Sequence, residues 1–108
     1  MSIEQTGKVD YVTIANESGD VLLTISDHLP WVEKEDEHLI FLQEKLNTYL
    51  RFIESGEMIK EFPHAKGRGV AINVVSKFPL THQAELFIEK SRAALKEAGI
   101  MLQFELKG

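Results

Sequence analysis

Residues 8 to 15 alternate along a β-branched segment, with Val9, Tyr11 and Thr13 on one side and Asp10, Val12 and Ile14 on the other. That period predicts a strand. Asn16 to Asp20 then supplies turn residues including Gly19, and the apolar run Val21 to Ile25 follows directly. The two runs read as a β-hairpin whose loop of about five residues contains glycine.

A helical period takes over after Trp31, with Leu39, Leu42, Leu46, Tyr49, Leu50 and Ile53 forming one stripe. Glu33, Glu35, Asp36 and Glu37 lie at its start, where carboxylates complement exposed N–H groups, and Gly56 can cap its end. These limits predict a helix over residues 34 to 55. Met58 to Phe62 adds at most a short helical turn before Pro63, and His64 to Gly69 has the glycine content of a loop.

Val70, Ile72, Val74 and Phe78 alternate with Ala71, Asn73, Val75 and Lys77, which predicts a strand closed by Pro79. Thr81 then suits the N-cap of a second helix, with Ala84, Phe87, Ile88, Ser91, Ala94, Leu95 and Ala98 inward and Gly99 at its end. In the final strand Ile100, Leu102, Phe104 and Leu106 take the buried side. The order ββαβαβ predicts an α+β two-layer sandwich, with both helices on one face of a four-stranded mixed sheet. All of residues 1 to 108 are expected in one domain.

Composition narrows the chemistry. With 44% hydrophobic and 27% charged residues, the chain lies in the range of proteins that fold unaided. It has no cysteine, which removes disulfides, thiolate metal sites and thiol nucleophiles and suits a cytoplasmic protein. No basic-then-apolar leader opens the sequence, and no run approaches the about 20 apolar residues of a membrane helix, so no membrane partner is expected. The net charge of -5 repels phosphates, and Lys60, Lys66 and Arg68 share their stretch with Glu61 and no aromatic ladder. Nucleic acid is therefore not an expected partner.

The segments Leu23-Thr24-Ile25-Ser26-Asp27-His28-Leu29-Pro30-Trp31, Glu37-His38-Leu39 and Leu42 to Asn47, with Tyr49-Leu50, Phe52 to Glu57 and Ser2 to Thr6, carry a family likeness. Together they resemble the bacterial proteins known as domain of unknown function 6572. The resemblance covers nearly the whole chain and is most specific over its first sixty residues. It implies a bacterial single-domain protein and transfers no mechanism.

The candidate site is Asp27, His28, Trp31, Glu35 and His38. Carboxylate and imidazole suit a divalent metal, and Glu35 and His38 share a helical face at i, i+3. Ordinary roles explain the same residues: Asp27 capping a turn, acids solvating a helix start and Trp31 packing in the core. Ser26 with His28 lacks a glycine-flanked nucleophile elbow. Lys66-Gly67-Arg68-Gly69 lacks the spacing of a phosphate loop and leads into a strand, so a turn is expected and no cofactor. His64 and His82 lie in different segments without ligand partners in sequence.

Two functions remain in view. The leading expectation is a non-catalytic interaction or regulatory protein, whose acidic surface suits a basic partner. The alternative is a small metal-binding protein or enzyme centred on Asp27, His28 and His38. A homodimer is expected through Phe41 and Phe52, which a rotation of about 100° per residue places together, with Lys45 and Thr48 between them. The opposing expectation is that Met58 to Gly69 folds back over this pair.

Overall fold

The computed structural model describes residues 6, 7, 9 and 11 to 107. Its strands are β1 (Tyr11–Ile14), β2 (Val21–Asp27), β3 (Val70–Ser76) and β4 (Ile100–Leu106). The helices are α1 (Glu35–Glu54), the short α2 (Glu57–Glu61) and α3 (His82–Glu97), with a 3-10 turn at Pro63–Ala65. The strand expected over residues 8 to 15 is thus seen as Tyr11–Ile14, and positions 8 and 10 lie outside the described residues.

The sheet order is β1-β2-β3-β4. β1 and β2 pair antiparallel, as the hairpin requires, while β2–β3 and β3–β4 are parallel. Each parallel pair is joined by a helical crossover, the connection that parallel neighbours need. Register brings Leu23, Ile72 and Leu102 into one row and Ile25, Val74 and Phe104 into the next. These rows share a core with Leu42, Leu46 and Tyr49 of α1 and with Ala84, Ile88 and Leu95 of α3. Both long helices therefore lie on the same face. The other face carries Leu22, Thr24, Ala71, Asn73, Met101 and Gln103, and no helix among the described residues covers it.

Element ends follow local chemistry. Thr81 accepts the Ala84 N–H at 3.2 Å and opens α3, while Gly99 leaves it with φ of 80°, a left-handed angle that glycine adopts without strain. Gly56, at φ of 86°, does the same between α1 and α2.

The buried stripe of α1 differs from the expected one. His38, Leu42, Lys45, Leu46, Tyr49 and Phe52 are buried, whereas Leu39, Leu50 and Ile53 remain partly exposed. The helix is rolled toward its His38–Lys45–Phe52 side. Two of those positions carry ionisable side chains, so an apolar count places the stripe about a sixth of a turn away. α3 is likewise buried on a narrower stripe than expected, with Ala94 and Ala98 exposed.

Candidate functional site

Asp27 is the last residue of β2, and alternation points its side chain to the helix-covered face behind Val21, Leu23 and Ile25. A carboxylate at that depth needs partners. One oxygen, Oδ1, accepts the Leu29 N–H at 3.1 Å and shapes the turn leaving the strand. The other, Oδ2, lies 2.5 Å from His38 Nε2 in the first turns of α1. The second ring nitrogen, Nδ1, stands 3.3 Å from Pro30 O, a carbonyl that can only accept. Each ring nitrogen thus has a partner within the chain. Asp27 and His38 are each 1% exposed.

Trp31 completes the cluster. Its ring stacks on the His38 imidazole with centroids 3.4 Å apart and planes 13° from parallel. The indole is buried, and its Nε1 has no acceptor among the described residues. An unsatisfied buried donor costs about 1–3 kcal/mol, so packing against His38 and the core has to offset that. Asp27, Trp31 and His38 thus form a clasp between the end of β2, the following loop and the start of α1.

A cavity of about 300 Å³ opens beside the clasp, lined by Leu29, Pro30, Glu33, Lys34, Glu37, His38 and Phe41. His38 contributes a ring whose nitrogens are both engaged. The cavity has apolar walls of Leu29, Pro30 and Phe41 and a rim of two carboxylates and one ammonium. Its size is at the lower end for small-molecule sites.

Of the five residues expected at this site, the fold brings Asp27, Trp31 and His38 together. His28 is exposed, and Glu35 is a half-buried carboxylate in the first turn of α1. Among the described residues no group of three or more His, Asp or Glu side chains is arranged to hold a metal ion. Ser26 points to the opposite side of β2 from Asp27, and its strand neighbours set it on the open face.

The expected interface on α1 is largely internal. Phe52 is 7% exposed and belongs to the core with Met58 of α2. Lys45 is fully buried, with its ammonium 5.8 Å from the centre of the Tyr49 ring. Thr48 Oγ1 donates to Thr6 O at 2.5 Å, which ties this face to the N-terminal segment. Phe41 is half-buried at the cavity beside His38. Phe52 is thus covered within the chain, Thr48 is bonded to Thr6, and Phe41 borders the cavity. Sequence periodicity missed Lys45 as a core residue because a lysine ordinarily keeps its head in water.

The loop before β3 also resolves into structure. Arg68 donates from Nε to His64 O at 2.8 Å and from Nη1 to Gly19 O at 2.7 Å. Its guanidinium is bound to backbone carbonyls across two turns, in keeping with a turn rather than a phosphate cradle.

A model of the family of unknown function DUF6572 matches residues 1–108. The chain belongs to that family. No curated protein and no solved structure matches it.

Proposed function

We propose that this DUF6572 protein is a non-catalytic interaction or regulatory module of the bacterial cytoplasm that works by binding a protein partner. The observation that carries this reading is the closure of its one buried acid–base pair among the described residues. Both Asp27 oxygens and both His38 nitrogens are engaged within the chain. A general base or metal ligand needs a lone pair directed at substrate or ion, and this imidazole directs none. The net charge of -5 favours a partner with a basic surface. A homodimer, the simplest self-association, would use the uncovered sheet face, where Tyr11 and Met101 are exposed, instead of the Phe41–Phe52 face.

The test pairs two measurements on the whole chain. Affinity capture from the native cells is expected to yield a protein that rebinds the purified chain at fixed stoichiometry. Turnover in a panel of hydrolase, transferase and metal-dependent assays, abolished by His38→Gln in a folded variant, would overturn the proposal.

A further inference from the structure

Strand β4 forms one edge of the sheet and runs for seven residues, whereas the opposite edge, β1, has four. A long open edge is a template for adding another strand, and short edges are a common protection. The direction of the open hydrogen-bonding groups follows from register. Lys107 N–H donates to Ser76 O at 2.8 Å, so odd-numbered residues of β4 turn their backbone groups to β3. In an extended chain successive residues alternate sides, which leaves the N–H and C=O groups of Ile100, Leu102, Phe104 and Leu106 directed away from the sheet.

Arg92 of α3 reaches one of these groups. Its Nε–H donates to Leu102 O at 3.1 Å, and its Nη1 pairs with the carboxylate of Glu89 one helical turn earlier. The guanidinium is thereby held by two partners across the middle of β4. We propose that Arg92 is an edge guard, which occupies the Leu102 carbonyl and so opposes pairing of β4 with β4 of a second copy.

The strand itself suits such pairing. An antiparallel arrangement centred on Gln103 sets Leu102 opposite Phe104 and Ile100 opposite Leu106, matching outward-facing backbone groups. It also sets Glu105 opposite Met101, so no like charges meet directly. The Leu102 C=O that such a ladder requires is the one Arg92 holds. This assignment is independent of the partner surface proposed above, because it concerns the edge and not the face of the sheet.

Arg92→Met keeps the aliphatic stem over β4 and removes both donors. The variant is expected to self-associate about a hundredfold more tightly than wild type, about tenfold for the charge-assisted hydrogen bond that stops competing in each of the two copies. Light scattering over a dilution series reads that shift. Leu106→Pro supplies the control: Leu106 is exposed and its N–H faces outward, so proline removes an edge donor without breaking the β3 ladder. The Arg92→Met/Leu106→Pro variant should return to wild-type behaviour. Should Arg92→Met fold poorly, Glu89→Gln releases the guanidinium and is expected to shift association in the same direction by less. Folded Arg92→Met with unchanged association, or association that Leu106→Pro leaves intact, would overturn the guard.

Discussion

Asp27 and His38 give the clearest expectation at the scale of single residues. Removing one member of a buried, hydrogen-bonded pair leaves the other unsatisfied, an effect of about 1–3 kcal/mol, whereas replacing both by apolar groups of similar shape is near neutral. Asp27→Ala should therefore lower stability by about that amount, and Asp27→Leu/His38→Leu should recover much of the loss. Urea midpoints for the two single variants and the double variant measure the coupling directly. Additive losses would mean that the 2.5 Å contact contributes no coupling energy. These residues stand out in sequence as a polar cluster near a helix start, but their pairing does not, since Asp27 and His38 are separated by a loop whose path is set by burial of Trp31.

At the scale of elements, the β3 face and the β4 face as far as Phe104 follow their alternation and α3 begins at its threonine cap, because those signals are local, whereas Leu106, expected on the buried side, is exposed at the strand's end. Thr81→Ala removes the oxygen that accepts the Ala84 N–H and should lower stability by about 1 kcal/mol. A Thr81→Asn variant that keeps the cap is expected to stay near wild type in thermal melts. Two core substitutions test the packing of α1 and β4. Leu46 is 6% exposed, so Leu46→Ala should fall within the range of about 2–5 kcal/mol. Phe104 is only partly buried, and Phe104→Ala belongs at the lower end of that range. An unchanged denaturant midpoint for either would show that its side chain adds nothing to the core. The roll of α1 was not legible in its sequence, because His38 and Lys45 count as polar in any periodicity while the fold buries both.

Across the whole molecule, Arg68 links parts of the chain that sequence leaves unconnected. Its guanidinium bonds the β1–β2 turn at Gly19 O, while the Val21 N–H meets Gly69 O at 2.8 Å beside it. Arg68→Ala should loosen the hairpin turn against the loop entering β3, with a loss of about 1–2 kcal/mol for two exposed bonds to carbonyls. Hydrogen exchange at the Val21 amide is the sensitive readout, and a rate equal to wild type would mean the turn holds without Arg68.

At this same scale the division between sequence and tertiary structure becomes visible. The order of strands and helices, the buried faces of β3 and of β4 as far as Phe104 and the helix ends were determined by the sequence alone, since each depends on residues within a turn or a pleat of one another. The tertiary structure decided what depends on distant chain segments meeting. It buried Lys45 beside Tyr49, closed the Phe52 face with the chain's own α2, and carried Arg92 over the β4 edge. It also turned a scattered aspartate, tryptophan and histidine into a closed clasp, because only packing α1 onto the sheet brings the end of β2 within hydrogen-bonding reach of His38.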